Sequence, residues 1–187
     1  MSQELSPRQS AIVSLLFDAV GVQDPVTPLS FALSGDFKEK FSAVVARAEA
    51  ADEPAIIVCS LPRYGSTAFV ALTKSREVEV ARLLANLEDL ERENGSPLAL
   101  GETVGFNQMH HTSGSPPIAV LLLPTAVSEL LRALPNEFQP NGEVTRFAFV
   151  LPLTENELAC KNERGQDALV DMFQQRGKSL FFDAIAQ

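Results

Sequence analysis

The sequence is poor in several residues and patterns that mark particular classes of protein. Among 187 residues it has no tryptophan, one tyrosine, two histidines and two cysteines. Cys59 and Cys160 lie far apart and do not make a disulfide framework, so they indicate a reducing compartment. The longest purely apolar run, residues 118–123, is much shorter than the roughly 20 residues of a membrane-spanning helix, so no membrane span is expected.

Positive charge is also scarce. The chain has 15 Lys and Arg against 24 Asp and Glu, a net charge of −9, and its basic residues are scattered singly. Nucleic acid and anionic membrane surfaces are therefore not expected partners. A basic protein matches this charge better, because net charge affects association more than fold. Glu4 stands where a secretory signal carries positive charge, and we expect a cytoplasmic protein.

Apolar residues, in contrast, are plentiful enough for a folded core. Hydrophobic residues make up 45% of the chain and include 12 phenylalanines, a composition that excludes a disordered chain. The length favours one substantial domain, which needs neither disulfides nor metal for its stability.

The first 54 residues are predicted to form a helical extension. Ser6 and Pro7 are typical of a helix start, and Gly21 ends that helix. A second helix is expected over residues 36–48, because Asp36 and Glu39 have the spacing of a capping box before an apolar stripe. Residues 22–35 between the two helices are predicted to be a connector.

From Pro54 onward, strand patterns mix with helical ones. The first predicted elements are a hairpin of strands at 55–61 and 66–73 and a helix from Ser75 to Gly95. They are followed by a short strand near Thr103–Phe106, a strand at 118–123, a short helix from Thr125 to Pro135 and a strand at 144–151. The last two are a helix capped by Thr154 and Glu157 that ends at Gly165, and a helix from Gln166. This order predicts an α+β domain over residues 55–187, with a mixed or largely antiparallel sheet covered by helices.

A search for catalytic or metal-binding patterns finds little. His110 and His111 are adjacent, so their side chains point apart on an extended chain, and no companion ligand has metal-site spacing. Cys59 lies in an apolar strand, where a thiol is unreactive. Four carboxylates near the end of the long helix are expected to be a solvated face in which Glu88 pairs with Arg92; they are Glu88, Asp89, Glu91 and Glu93. We therefore predict no catalytic residue, no metal and no cofactor.

The C-terminal half resembles the suppressor-of-fused-like domain family, in its bacterial form. The resemblance rests on a strand that ends in proline, a second strand that ends in Pro-Leu-Thr, a Glu-rich cap and a Gly-x-x-Ala-Leu turn. The matching residues are Val120–Pro124, Phe147–Thr154, Glu155, Glu157, Leu158, Gly165, Ala168 and Leu169. Upstream, Leu83–Gly95 and Leu100–Thr103 also resemble segments of the family. The matching region covers about residues 80–175.

The resemblance implies a binding protein rather than an enzyme. Animal members of the family hold transcription factors in the cytoplasm, and bacterial members resemble immunity proteins that neutralise toxins. We therefore expect a cytoplasmic protein-binding domain, with toxin neutralisation as its specific form. Two alternatives stay open: a small acidic chaperone for a secreted protein, and a hydrolase that uses residues 110–115.

The expected partner surface combines the hairpin turn with the irregular stretch 101–117. Large side chains there have no periodic core position, and loops on a rigid scaffold commonly carry recognition. The candidate residues are Arg63, Tyr64, Phe106, Met109, His110 and His111. The alternative is that Phe106 and Met109 pack into the core and the other residues are ordinary surface.

Overall fold

The computed structural model describes residues 5–21, 27–31, 40–50, 53–105 and 118–185. Its helices are α1 (Pro7–Val20), α2 (Glu77–Asn94) and α3 (Glu155–Arg176). Its strands are β1 (Thr27–Phe31), β2 (Phe41–Ala50), β3 (Glu53–Ser60), β4 (Thr67–Thr73), β5 (Thr103–Gly105), β6 (Ala119–Leu123), β7 (Glu137–Phe138) and β8 (Thr145–Leu153). Within these ranges, no helix is long and apolar enough to cross a membrane.

The eight strands form one mixed sheet. Their order is β1-β2-β3-β4-β8-β6-β5, and the short β7 pairs with the start of β8. Neighbours are antiparallel except for β4 and β8, which run parallel, with Thr67 opposite Arg146. The predicted α+β class with a mixed sheet is confirmed.

Helices cover both faces of this sheet. Val58, Phe69 and Val150 point toward α2, which supplies Leu84 and Leu87 to the same cluster. On the opposite face, α1 and α3 pack against a second set of strand side chains, which includes Ile57, Cys59, Val70, Phe147 and Phe149. All seven residues of β4 are buried, because this central strand is covered on both sides.

Capping residues set the helix ends largely as predicted. Ser6 caps α1 in a capping box with Gln9, and Gly21 ends the helix in a left-handed conformation. Thr154 and Glu157 form the predicted capping box at the start of α3, which is kinked at Gly165. The helix α2 also ends as predicted at Gly95 but begins at Glu77, and the Ser75 hydroxyl donates to Asp183 instead of capping it.

The predicted helix over residues 36–48 is wrong in its described part, residues 40–48. Residues 41–48 belong to β2, which pairs antiparallel with β3 from Ala43 to Ala50. Val44 and Ala46 face one core cluster while Ala43 and Val45 face the other, so a strand buried on both faces produced an apolar run without clear alternation. Residue 54, the expected end of the helical extension, lies inside β3, and β1 and β2 continue the same sheet.

Two smaller predictions also need correction. The connector contains β1, an edge strand in which Pro28 is tolerated. The segment after β6 forms two short 3-10 turns, Thr125–Val127 and Glu129–Leu131, instead of a helix. Thr125 does not cap them, because its buried hydroxyl donates to the Leu134 carbonyl.

Candidate interaction site at the turn between β3 and β4

The turn at residues 61–66 lies at the end of the sheet where β4 and β8 begin. Arg63 is exposed, and its guanidinium carbon lies 5.5 Å from the centre of the Tyr64 ring. Tyr64 is half-buried and meets the buried Phe41 ring edge-on, with centroids 5.6 Å apart. The turn therefore presents one cation to solvent beside an aromatic side chain that is anchored in the fold.

Two carboxylates of α2 hold this turn from below. Oε1 of Glu88 accepts hydrogen bonds from the backbone N–H groups of Arg63, at 2.6 Å, and Tyr64, at 2.8 Å. Oε1 of Glu91 accepts from the Thr67 hydroxyl at 2.5 Å and from the backbone N–H of Leu98 at 2.9 Å. These bonds tie α2 to both ends of the turn and to the loop that follows the helix.

The expectation of a solvated acidic face is therefore wrong for three of its four carboxylates, whereas Glu93 is exposed as expected. Glu88 is 0% exposed, Asp89 8% and Glu91 3%. Arg92 pairs with Asp89, at 2.6 Å, rather than with Glu88. The helical spacing contained the missed signal, because Glu88 and Glu91 stand four and seven residues after Leu84 and so continue its buried stripe.

Burial controls the electrostatics of both carboxylates. Desolvation raises the pKa of Glu88, and the backbone hydrogen bonds from the turn oppose this shift without cancelling it. Desolvation likewise raises the pKa of Glu91, against the hydrogen bonds that it accepts. The neighbouring charge of Glu91 further raises the pKa of Glu88.

The helix α1 supports the turn from the other side. Arg8 donates to the Gly65 carbonyl oxygen at 2.7 Å and to the Thr145 hydroxyl at 2.9 Å, which joins the turn to the start of β8. The Gln9 side-chain amide donates to the Leu61 carbonyl oxygen at 3.1 Å. Sequence reasoning missed these contacts, since no local pattern indicates bonds between residues more than 50 positions apart.

Two open clefts adjoin the turn. One, of about 520 Å³, is lined by the N-terminal turn of α1, Pro62, Arg63 and residues 140–143. The other, of about 580 Å³, lies between Tyr64, Ser66, Glu143 and the end of α2. The two clefts share Arg8 and Glu143 as lining residues, so they adjoin each other beside the turn.

The structure describes two of the six candidate site residues, Arg63 and Tyr64, and they lie together in the turn. The other four, Phe106, Met109, His110 and His111, lie outside the described residues. Gly105 pairs with Ala119, which lies opposite Leu153 at the far end of β8. Gly105 and Ala119 thus lie at the end of the sheet opposite the turn.

The described residues near the turn include one buried cysteine and two buried carboxylates. Burial raises the pKa of the Cys59 thiol to about 12, so this cysteine is not an activated nucleophile. Both buried carboxylates already accept hydrogen bonds from the fold. No group of three metal-ligating side chains occurs within the described ranges. Around the turn, side chains of α1 and α2 hold the backbone by hydrogen bonds.

Comparison with solved structures shows the same fold in three suppressor-of-fused proteins. A bacterial homologue from Neisseria gonorrhoeae FA 1090 superposes with a TM-score of 0.67 at 18% identity, and the match covers 93% of this chain and 92% of that one. The Sufu–Fu complex structure gives a TM-score of 0.60 at 12% identity, with 92% and 86% covered. Drosophila Suppressor of Fused gives 0.62 at 13% identity, with 97% of this chain covered but 51% of that one, so this chain spans about half its length.

Sequence comparison gives two results. No curated protein matches the chain at a significant level. The family model for the suppressor of fused protein, SUFU, matches residues 48–184, well over half of the chain and most of the sheet. The chain belongs to the suppressor of fused protein family.

Proposed function

We propose that this protein is a non-enzymatic, cytoplasmic protein-binding domain, and that the turn at residues 61–66 contacts its partner. The observation that carries the proposal is the support of the turn: α1 and α2 fix its backbone while Arg63 stays exposed. A preorganised loop loses little conformational freedom on binding, which favours affinity. Arginine and tyrosine are also the residues most often found at the energetic centres of interfaces.

Family membership supports the same proposal. A family member was solved as the Sufu–Fu complex, in which it is bound to another protein. By analogy, we propose a protein partner for this chain as well. The net charge of −9 favours a basic partner, and argues against nucleic acid and anionic membranes as ligands.

Toxin neutralisation is the specific form of this function that we propose. It is tested by co-expressing the protein in bacteria with the product of a neighbouring gene that is toxic alone. Growth should be rescued by the wild type and less well by Arg63→Ala, since the substitution removes the exposed side chain that the turn presents to the partner. Equal rescue by Arg63→Ala, with the protein present at wild-type levels, would contradict the role of the turn.

The binding function itself is tested by affinity capture with the full chain. The wild type should retain a specific protein that Arg63→Glu loses and that Arg164→Glu, a change at an exposed arginine of α3, still retains. In direct binding measurements with purified proteins, the identified protein should then bind the wild type and Arg164→Glu but not Arg63→Glu. Retention by all three forms alike would place the interface elsewhere, and no direct binding would refute the proposal. A retained exported protein would favour the chaperone alternative over the immunity role.

A further inference from the structure

Each of the two carboxylates beneath the turn accepts its close hydrogen bonds through one oxygen. Oε1 of Glu88 and Oε1 of Glu91 accept the hydrogen bonds described above. Oε2 of each is buried and has no hydrogen-bond partner within the part of the chain that the structure describes. Buried polar atoms are nearly always paired, so two orphaned oxygens in adjacent turns of one helix require a physical reason.

The side chains of both glutamates lie next to Gly65. They are three residues apart on α2 and so share one face of the helix. A methyl group on Gly65 would lie 2.4 Å from Oε2 of Glu91 and 3.6 Å from Cγ of Glu88. Glycine is needed here for this close approach, and its backbone rests directly on both side chains.

The charged groups nearby do not neutralise this pair. The guanidinium of Arg8 binds the Gly65 carbonyl and Thr145, and lies 4.0 Å from the Glu143 carboxylate. Arg92 binds Asp89 and approaches Glu93 at 3.9 Å, while Arg63 extends over Tyr64. Among the described residues, no salt bridge reaches Glu88 or Glu91. Two full negative charges in this buried position would repel each other and would both lack counter-ions.

We propose that Glu88 and Glu91 are positioning residues for the turn and that together they keep one proton at neutral pH, so that the pair carries a single negative charge. One carboxylic acid and one carboxylate satisfy the backbone amides without the cost of two adjacent buried anions. Loss of the remaining proton to solvent places a second charge under Gly65. That charge weakens the hold of α2 on the turn and lowers the affinity of the surface that Arg63 presents. The effect on affinity rests on the proposed function, whereas the proton itself does not.

The direction of the pKa shifts agrees with this geometry. The pKa of both groups is raised by burial above the value of 4.5 that they have when solvated. A raised pKa means that the folded state binds more protons than the unfolded state between the two values. The contribution of the pair to stability is therefore complete below about pH 4.5 and is lost as the pH rises through the pKa of the folded protein.

The first test compares denaturant unfolding across pH for the wild type, Glu88→Gln, Glu91→Gln and the matched control Glu79→Gln, which changes an exposed carboxylate of the same helix. Glutamine keeps the accepting oxygen but cannot ionise. In the wild type and the control, the folding equilibrium constant should fall between about pH 4.5, where the unfolded chain loses this proton, and the higher pKa of the folded pair, with a limiting slope of about tenfold per pH unit. This step should be absent from both buried Gln variants. Profiles that stay parallel for all four proteins would overturn the proposal.

The second test uses the wild type alone and therefore does not depend on how well the variants fold. The carbon-13 chemical shift of the side-chain carboxyl should show that the carboxyl group of Glu88 or Glu91 is still protonated at about pH 6, where a solvated glutamate is ionised. The backbone amide signals of Arg63 and Tyr64 should shift with the same midpoint. The proposal would be overturned if both carboxyl groups ionised near the pKa of a solvated glutamate. It would also be overturned if the amide signals of the turn did not shift when the pair ionises. If these signals behave as expected but partner affinity does not change with pH, the assigned role of the turn fails and the proton pair stands.

Discussion

At the residue scale, the turn depends on side chains that sequence reasoning assigned to the surface. Local patterns identified Arg63 and Tyr64 correctly as turn residues, because Pro62 and Gly65 flank them between two apolar runs. The same patterns could not show that Glu88 binds their amides, since that contact joins residues 24 and 25 positions apart. Burial of charge is decided by tertiary partners, which a single helix pattern does not contain.

Gly65→Ala tests this close packing. The added methyl group would overlap Oε2 of Glu91, and because Glu91 is buried and hydrogen-bonded, the carboxylate cannot move away freely. We expect unfolding free energy to fall by about 1–3 kcal/mol, the usual cost of overpacking. Ser66→Ala, in the same turn, should change it by less than about 0.5 kcal/mol. Equal midpoints for Gly65→Ala and the wild type in urea denaturation would contradict the packing.

The two cysteines should differ sharply in reactivity. Cys59 is fully buried in β3, with its thiol pKa raised to about 12, whereas Cys160 is partly exposed on α3. A thiol reagent should therefore label the folded protein once, at Cys160, and label both positions after denaturation. Cys160→Ser should abolish labelling of the folded state. Rapid labelling of Cys59 in that variant would show that β3 opens readily.

At the element scale, ends were easier to predict than interiors. The starts of α1 and α3 follow from the local chemistry of Ser6, Pro7 and Thr154, which acts whatever the rest of the fold does. The interior of β2 was misassigned because its apolar residues face two cores at once, so neither a helical nor a strand period stood out. A strand covered on both faces is identified by its neighbours rather than by its own pattern.

The cap at Thr154 provides the test at this scale. Its hydroxyl accepts from the Glu157 amide at 3.4 Å, and Glu157 in return accepts from the Thr154 amide at 2.8 Å. Thr154→Ala should reduce unfolding free energy by about 1 kcal/mol. Asn156→Ala, an exposed change in the first turn, serves as the control in the same thermal or urea unfolding measurement. An unchanged midpoint for Thr154→Ala would show that the cap does not support α3.

At the scale of the whole molecule, the C-terminal segment joins parts of the chain that are distant in sequence. Asp183 accepts hydrogen bonds from the Thr73 hydroxyl at 2.6 Å, the Lys74 amide at 2.6 Å and the Ser75 hydroxyl at 3.0 Å. Phe182 is buried beside α2, and Phe181 forms a parallel bridge with Leu72. Asp183 thus fixes the connection between β4 and α2 from 108–110 residues away.

Asp183→Asn should destabilise the protein at neutral pH by about 1–2 kcal/mol, because charge-assisted hydrogen bonds become neutral ones. Burial raises the pKa of Asp183, but its hydrogen bonds outweigh that effect and lower it below the usual 3.8. Its contribution is therefore present above about pH 3.8 and is lost as the pH falls through the folded value. When the free energy of unfolding is measured against falling pH, Asp183→Asn should lack the loss of stability that protonation of Asp183 causes in the wild type. Asp171→Asn, an exposed change, is the control. Identical acid profiles for Asp183→Asn and wild type would contradict the assignment.

The fold class and the family followed from sequence because both depend on local order. Strands that end in proline, the cap at Thr154 and the Gly165 kink follow one another along the chain in the order on which the resemblance rests. The family match over residues 48–184 confirms the resemblance. The parallel pairing of β4 with β8 and the support of the turn did not follow from the sequence, because both join distant segments. Sequence periodicity reports which residues are apolar rather than which strands become neighbours.

The measurement that tests the central claim most directly is the dissociation constant of the captured partner for the wild type, Arg63→Ala and Arg164→Ala, determined by calorimetry with purified proteins. Arg63 is the better probe of the turn, since Tyr64→Ala would also remove the contact with Phe41. We predict that Arg63→Ala weakens binding at least about tenfold, equivalent to about 1.4 kcal/mol, and that Arg164→Ala leaves it unchanged. Wild-type affinity in a folded Arg63→Ala protein would contradict the account.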